Sequence, residues 1–145
     1  MSTLLTGVAV AGFAFLGWHL SRRFGAARIG AFNDRRRAGS RMVSRGDYID
    51  GNRRLPVALA VSESTFFYEN SAIQGSLDLA WLREVEYDNE LATGLAIESG
   101  TVLRLRSGSQ TFEFVLPKKD AERWSDTLPA RTVRLDVAPA AAVTR

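Results

Sequence analysis

The chain has 145 residues with 19 Lys or Arg, 16 Asp or Glu and one His, so its formal net charge at pH 7 is +3. It contains no cysteine, which excludes disulfides, thiolate metal sites and cysteine nucleophiles. The charge is unevenly distributed, because residues 22–54 hold ten arginines and three aspartates, a net charge of +7, whereas residues 55–145 have a net charge of −4.

An uncharged apolar run, TLLTGVAVAGFAFLGWHL, occupies residues 3–20. As a helix this run would rise about 27 Å, close to the ~30 Å hydrocarbon core of a bilayer. Trp18 lies at its end, where amphipathic rings prefer the headgroup level, and the arginines begin directly beyond it. The pattern predicts a transmembrane anchor over residues 1–20 with Trp18 as its interface anchor. The positive-inside rule then predicts a single-pass protein of the inner membrane, with the N-terminus outside and the remaining chain in the cytoplasm.

Two alternative interpretations of the apolar run are a cleaved secretory signal and a buried core helix. A secretory signal needs a basic region ahead of its apolar stretch, and residues 1–6 contain no Lys or Arg. A core helix needs more protein around it than the remaining chain provides. The anchor is therefore favoured. The spacing of Gly7 and Ala11 permits close helix contact without predicting an oligomeric state.

Residues 21–46 form an arginine-rich juxtamembrane connector, in which basic residues are interleaved with Phe24, Ile29, Phe32 and Met42. Its first half fits an amphipathic helix lying on the membrane, where guanidinium groups contribute about 1 kcal/mol each among anionic headgroups. The arginines predicted to contact the membrane surface are Arg22, Arg23, Arg28, Arg35, Arg36 and Arg37. A flexible linker remains an alternative. Nucleic-acid binding is disfavoured, because the neighbouring bilayer is itself a dense anionic surface.

From Leu55 the sequence changes to short apolar runs separated by polar or glycine-containing breaks. Seven runs with the composition of strands cover residues 55–61, 65–70, 76–81, 83–88, 94–99, 102–107 and 111–117. Several alternate strictly, which predicts antiparallel strands with one buried and one solvated face. The residues predicted to lie on the buried faces include Leu77, Leu79 and Trp81 in one run, Leu103 and Leu105 in another, and Phe112 and Phe114 in the last. The segment LRSGSQTF predicts a tight hairpin around Gly108.

A single helix is predicted after the strands, from Lys118 to Leu128. Pro117 suits the first position of a helix, and Pro129 ends it. Trp124 and Leu128 fall on one apolar stripe. Trp124 is therefore predicted to be the largest apolar group that the helix packs against the strands.

Seven short strands followed by one helix with a central tryptophan resemble the pleckstrin-homology-like (PH-like) barrel, in which a bent antiparallel sheet is closed at one end by a helix. The chain is similar in particular to small bacterial PH-like domains that follow a single N-terminal membrane span. The segments AWLREVEY and FEFVLPKKDAERWSDTLP carry the resemblance, which covers residues 47–129. It implies a mainly-β PH-like domain capped by a C-terminal helix, followed by an Ala/Pro tail over residues 130–145.

PH-like domains that bind phosphoinositides carry a basic cluster on their first two strands, whereas residues 55–82 contain no Lys or Arg. The resemblance therefore does not imply a phosphoinositide pocket. Arg104, Arg106, Lys118 and Lys119 are interpreted as solubilising surface charges.

Catalysis finds little support in the sequence. Glu84, Glu86 and Asp88 alternate on one strand face, where paired carboxylates could serve acid-base chemistry or bind a cation. No nucleophile motif, partner His or glycine-rich phosphate loop accompanies them. A solvated strand face is the favoured interpretation, so the sequence predicts a protein that is not an enzyme and has no cofactor or metal.

The function expected from these features is binding. The first hypothesis is a non-catalytic adaptor or accessory subunit that holds a protein partner at the membrane, through a strand edge or the rim of the barrel. The alternative is a module that senses anionic lipid through the arginine-rich connector. The predicted partners are the lipid bilayer and a membrane-associated protein, with no nucleic acid.

Overall fold

The structure, a computed structural model, describes residues 28–133 of the chain. The predicted anchor over residues 1–20, with Trp18, and the arginines Arg22 and Arg23 lie outside the described residues, as does most of the predicted tail. Within residues 28–133, no helix is both long enough and apolar enough to cross a membrane.

The described chain is built from strands with one helix before them and one near their end. Helix α1 includes residues 28–37. The strands are β1 (Met42–Asp50), β2 (Arg53–Val61), β3 (Thr65–Glu69), β4 (Gln74–Asp78), β5 (Leu82–Asp88), β6 (Gly100–Ser107), β7 (Gln110–Pro117) and β8 (Arg131–Thr132). Helix α2 (Lys118–Thr127) lies between β7 and β8, and a 3-10 turn (Leu79–Trp81) links β4 to β5.

All eight strands form one antiparallel sheet in the order β4-β3-β2-β1-β7-β6-β5-β8. The segments β1–β4 and β5–β7 each run as a meander, and the two meanders join where Tyr48 of β1 pairs with Phe114 of β7. A mainly-β antiparallel domain with a helix after its last long strand is therefore confirmed. This architecture, an open eight-stranded sheet plus one helix, is compatible with a PH-like fold.

The inner face of the sheet carries the main hydrophobic core, which includes Val57, Leu59, Leu103, Leu105 and Phe114. Helix α2 covers this face through Trp124, whose side chain is fully buried with its ring centroid 5.7 Å from that of Phe66. The indole Nε1 donates a hydrogen bond of 2.8 Å to Ser44 Oγ, so both polar groups are buried with a partner. The predicted helix and the predicted inward position of Trp124 are confirmed.

Hydrogen bonds hold the C-terminal end of α2, among them one that Arg41 Nη2 donates to Thr127 O at 2.9 Å. The Leu128 N–H donates to Trp124 O at 2.8 Å, and the Tyr87 hydroxyl donates to Leu128 O at 2.7 Å. Burial raises the pKa of Tyr87 above its ordinary value of 10.0, so the hydroxyl continues to donate well into the alkaline range. The end of the helix is thereby fixed to β5.

The outer face of the sheet is covered by two separate pieces of chain, and α1 is the first. Its Ile29 and Phe32 are 7% and 3% exposed and pack against Ala58 and Ala60 of β2. The methyl side chains of β2 leave room for the helix to lie close to the sheet. Residues 28–37 of the predicted connector therefore form a helix, but its apolar stripe faces the sheet.

The sequence does not predict strand β1, which begins at Met42, ahead of the predicted domain start at Asp47. Polar residues occupy both of its faces, so the apolar alternation typical of a half-buried strand is missing. Gly46 faces the core at a close approach, because a Cβ there would lie 2.7 Å from Leu59 Cδ1 and 2.9 Å from Val115 O. The sheet thus includes part of the predicted connector.

The loop of residues 89–99 is the second cover of the outer face, and the strand predicted over 94–99 is not formed. Leu91 and Ile97 pack against the outer side of β6 and β7. The Ile97 N–H donates to Asn89 O at 2.7 Å, which folds the loop back on itself. The run has the composition of a strand because its apolar side chains cover the sheet.

Two hairpins close through two-residue turns that begin with glycine. Gly51, with φ of +58°, follows β1, and Gly108, with φ of +61°, follows β6. Positive φ at the first turn position is typical of the tight turns that match the twist of antiparallel strands. The hairpin predicted around Gly108 is confirmed.

Candidate functional site

Strand β4 lies at one end of the sheet and pairs on one side with β3. Within residues 28–133, no strand pairs with its other side. The chain continues from Asp78 directly into the 3-10 turn, and we refer to residues 74–81 as the β4 edge. Its backbone offers hydrogen-bonding groups that an added strand could use.

Trp81 is the most exposed large apolar side chain among the described residues, at 72%. Its backbone is nevertheless held firmly. Asp78 Oδ1 accepts a hydrogen bond of 2.8 Å from the Ala80 N–H, the Leu79 N–H donates to Ser64 O at 2.8 Å, and Leu79 O accepts from Arg131. The sequence pattern places Trp81 on the buried face of a strand, and this expectation is wrong because the strand ends at Asp78.

The opposite end of the sheet is protected in ways that the β4 edge is not. Strand β8 has only two residues, Arg131–Thr132, and both are exposed. The neighbouring strand β5 has a register irregularity between Leu82 and Glu84. Short edge strands, exposed charges and bulges all hinder pairing with another chain. Strand β4 is longer, shows a regular register over all its residues, and carries one charged side chain, Asp78.

Arg36 of α1 lies beside the β4 edge. Its guanidinium carbon is 3.9 Å from the ring centroid of Phe67 and 5.5 Å from that of Phe32. Arg36 also borders a cavity of about 230 Å³ whose walls include Gln74 and Ser76 of β4. Among the described residues, no carboxylate lies within ion-pair distance of Arg36. The charge is therefore held by aromatic rings at a cavity that it shares with residues of the edge.

The other arginines of α1 predicted to contact a membrane lie in solvent. Arg28 is exposed. Arg35 approaches Glu69 at 3.7 Å, and Arg37 approaches Asp34 at 3.8 Å, in loose pairs whose arginines are more than 70% exposed. The structure thus groups Arg35, Arg36 and Arg37 near the end of α1. Whether any of them contacts lipid stays a prediction.

A groove of about 620 Å³ lies on the outer face, lined by α1, β1, β2 and the end of the 89–99 loop. Ile29, Pro56 and Val115 provide apolar walls. Arg54 Nε donates to Asp47 Oδ2 at 2.7 Å, so these two charges satisfy each other. The groove therefore offers a mixed surface in which the Arg54 charge is already neutralised.

The carboxylates on β5 are partly exposed and belong to an ion-pair network. Arg104 is only 11% exposed, and it contacts Glu86 at 2.6 Å and Glu113 at 3.0 Å. Its Nη2 donates to Glu90 O at 2.9 Å, which ties the 89–99 loop to the sheet. Burial opposes the charge of Arg104, but the hydrogen bonds to Glu113 and Glu86 outweigh it and raise the pKa of the guanidinium.

This network corrects the interpretation of Arg104 as a solubilising charge. The sequence shows the alternation of Arg and Glu but does not show that the 89–99 loop covers them. Arg106 behaves closer to expectation, because it is half exposed and pairs with Glu84 at 3.2 Å. Within the described residues, no group of three His, Cys, Asp or Glu side chains is arranged to hold a metal ion.

Aromatic side chains fill the inner face farther along β1 from Ser44. Tyr48 and Tyr68 have ring centroids 5.4 Å apart, and Phe112 lies 6.3 Å from Tyr68. Burial raises the pKa of both tyrosines, with smaller contributions from Asp50 on Tyr48 and from Tyr48 on Tyr68. On the inner face, these rings pack side chains of β1 and β3 in the first meander against β7 in the second.

The sequence analysis predicted neither the exposure of Trp81 on its turn nor the position of Arg36 beside β4. A usable signal exists for the turn, because Asp is a favoured N-cap residue and Asp78 directly precedes the turn. No local signal reveals the position of Arg36, since its aromatic neighbour Phe67 is distant in the sequence.

Comparison with known proteins adds no relative. No protein-family model matches the chain, and neither a curated protein nor a solved structure matches it. The β4 edge is therefore defined by its geometry alone.

Proposed function

We propose that this chain is a single-pass membrane protein whose PH-like domain acts as a non-catalytic adaptor or accessory subunit. The domain binds a protein partner at the β4 edge, with Trp81 as the anchoring side chain. The apolar run over residues 3–20 and the arginines beyond it support the membrane location, with the domain on the cytoplasmic side. The open antiparallel sheet with its C-terminal helix supports the PH-like assignment.

The exposure of Trp81 on a rigid turn is the observation that carries the proposal. The Trp81 side chain is 72% exposed, and because its backbone is already fixed by hydrogen bonds, binding requires little further ordering of the backbone. Tryptophan is also enriched among the residues that dominate binding energy in protein interfaces. An open strand edge beside it provides the hydrogen-bonding groups that an interface needs.

The carboxylates support binding over catalysis. Glu86 and Glu113 are engaged by Arg104, and Glu84 is engaged by Arg106. Carboxylates already engaged by arginines are poorly placed to contact a substrate.

A lipid-sensing module is the second candidate, and the exposure of Arg28, Arg35 and Arg37 favours it. Each guanidinium near an anionic bilayer contributes about 1 kcal/mol. The apolar stripe of α1 does not add to this attraction, because Ile29 and Phe32 are buried against β2. The lipid function would therefore be purely electrostatic and would weaken steeply with salt.

A photo-crosslinking amino acid in place of Trp81 tests the adaptor function in intact membranes. We expect one discrete crosslinked protein band, because a partner seated on the edge lies within reach of this position. The same amino acid in place of Leu95 is the matched control, since Leu95 is also exposed, at 61%, but lies in the 89–99 loop. Identical bands from both positions, or none from Trp81, would contradict the proposal.

The lipid candidate is tested by co-sedimentation of the folded domain with vesicles that contain phosphatidylserine. The adaptor function predicts weak binding that changes little when Arg28, Arg35 and Arg37 are all replaced by Gln. Strong binding that the triple substitution abolishes would replace the adaptor function with the lipid-sensing one.

A further inference from the structure

The β4 edge has the properties of an unprotected edge strand, and its two sides differ in chemistry. We propose that it binds an extended segment of the partner protein as an additional antiparallel or parallel strand, with acidic side chains at alternate positions that face Arg36. This inference rests on the proposed function, because it specifies the partner of the same site.

The first argument concerns the outer side of the edge. An added strand lies about 4.8 Å from β4, with its side chains alternating between the two faces of the sheet. Side chains on its outer face would stand beside Gln74 and Ser76, the residues that border the Arg36 cavity. Arg36 is stacked on Phe67, and a stacked guanidinium keeps its in-plane donors available for a carboxylate.

The charge around this cavity favours an acidic ligand. Arg35 and Arg37 flank Arg36 on the same helix and are largely exposed. Gln74 and Ser76 are uncharged, and the nearby carboxylates of Glu69 and Asp34 pair loosely with Arg35 and Arg37, which leaves the charge of Arg36 in excess. Asp78 stands at the other end of the strand on the same face and repels a second acid there. The acidic side chains of the partner should therefore face Arg36, away from Asp78.

The second argument concerns the inner side of the edge. A Cβ at Gly75 would lie 2.1 Å from Cζ of Tyr68, so the tyrosine ring lies directly over β4 at this position. Leu77 on the same side is half-buried and packs against the core. Side chains of the added strand on this side would therefore contact an aromatic ring and a leucine, which favours apolar residues. The expected segment alternates acidic and apolar side chains.

A second copy of the chain is a less suitable occupant. If two β4 strands paired in antiparallel fashion about Ser76, Asp78 of one copy would oppose Gln74 of the other. This arrangement supplies one carboxylate per site, and that carboxylate already accepts the hydrogen bond from the Ala80 N–H. A longer segment from a different protein can place more than one free acid near the arginines.

The test is a selection of short random peptides displayed on phage against the full-length chain in detergent micelles. We expect the selected peptides to share alternating acidic and apolar residues. A synthetic copy of the strongest binder should lose at least about tenfold in affinity when its acids are changed to amides, or when alternate backbone amides are methylated.

Variants of the chain locate the site. The Arg36→Gln variant should bind the acidic peptide and its amide counterpart equally and weakly. Arg123→Gln is the control, because it removes one exposed arginine from α2, on the other side of the sheet. Selection of no peptide, selection of peptides without acids, or equal discrimination by Arg36→Gln and the unmodified chain would overturn the inference.

Two further variants identify competing occupants. Because the chain has no cysteine, Ser76→Cys introduces a single thiol at the centre of β4. Efficient disulfide formation between copies in membranes would show that a second copy occupies the edge and would overturn the inference. If the peptide binds only after residues 134–145 are removed, the chain covers its own edge, and this result would also overturn the inference.

Failure of this inference is distinguishable from failure of the proposed function. A partner that crosslinks at Trp81 without sensitivity to Arg36→Gln would leave the adaptor function standing and remove the acidic strand. If acidic peptides bind the edge but no protein crosslinks at Trp81, the acidic strand stands and the adaptor function fails.

Discussion

The two helices pack on opposite faces of the same sheet, and their comparison shows what a charge pattern can and cannot indicate. Helix α2 buries Trp124 on the inner face, where the ring meets Phe66 and the indole has a hydrogen-bond partner. Helix α1 buries Ile29 and Phe32 on the outer face against alanines. Both helices are amphipathic, yet the arginines of α1 suggested a membrane as the surface that covers it.

The difference lies in what each helix meets. The inner-face cluster is large and closed by long aliphatic and aromatic side chains, whereas the cluster under α1 is small and includes two alanines of β2. Arginines on the exposed side of α1 are compatible with an apolar stripe that packs on a sheet or on a membrane. The basic face of a helix therefore does not show which surface its apolar face meets.

The largest expected effect is on the inner face. Trp124→Ala should reduce the free energy of unfolding by about 3 to 5 kcal/mol, because it leaves a cavity and removes the partner of Ser44. Thermal or denaturant unfolding of the full chain in micelles measures this. A loss below about 1 kcal/mol would mean that α2 does not close the core.

Phe32→Ala tests the outer face. We expect a loss of about 2 to 3 kcal/mol, less than for Trp124, because the small cluster around Phe32 can partly collapse into the space. Leu95→Ala is the control, since Leu95 is exposed in the loop. If Phe32→Ala changes stability no more than the control does, the apolar stripe of α1 meets a bilayer and the comparison between the helices fails.

Tyr87 makes the attachment of α2 sensitive to alkaline pH. Its pKa is raised by burial from the ordinary value of 10.0, so the unfolded chain loses this proton first and stability falls as pH rises above about 10. Tyr87→Phe should cost about 1 kcal/mol near neutral pH through loss of the bond to Leu128 O, and should then lose less stability on alkalinisation. Tyr48 and Tyr68 shift in the same direction in both proteins, so the difference between the two pH profiles isolates Tyr87. If stability falls equally with pH in Tyr87→Phe and in the unmodified chain, Tyr87 is not the source of the alkaline sensitivity.

The smallest expected effect concerns Arg36. Arg36→Met should change stability by less than about 1 kcal/mol, because it exchanges a cation-π contact with Phe67 for an apolar one. Unfolding curves should therefore be nearly superimposable with those of the unmodified chain. A large destabilisation would mean that Arg36 serves to hold α1 on the sheet, and that the effects of its substitution on binding are indirect.

Much of the second half of the fold could be predicted from the sequence. The period of two in β5, β6 and β7 placed Leu103, Leu105 and Phe114 on the buried face. The prolines before and after α2, with one apolar stripe between them, indicated its length and the burial of Trp124. These features are local, because the identity of each side chain and its spacing decide which face it occupies.

Tertiary structure alone decided what covers each face. The 89–99 run and α1 pack apolar side chains on the outer face of the sheet, and their own periodicity does not show which surface those side chains meet. The polar strand β1 joins the sheet because β2 pairs with one of its edges and β7 with the other. This backbone pairing stabilises the strand although its side chains do not alternate between apolar and polar. Trp81 is exposed because a capped turn redirects the chain at Asp78, and Arg36 reaches the edge because Phe67 lies beneath it. Local sequence sets the alternation of side chains along an element, whereas contacts between distant elements set which of those side chains remain available to a partner.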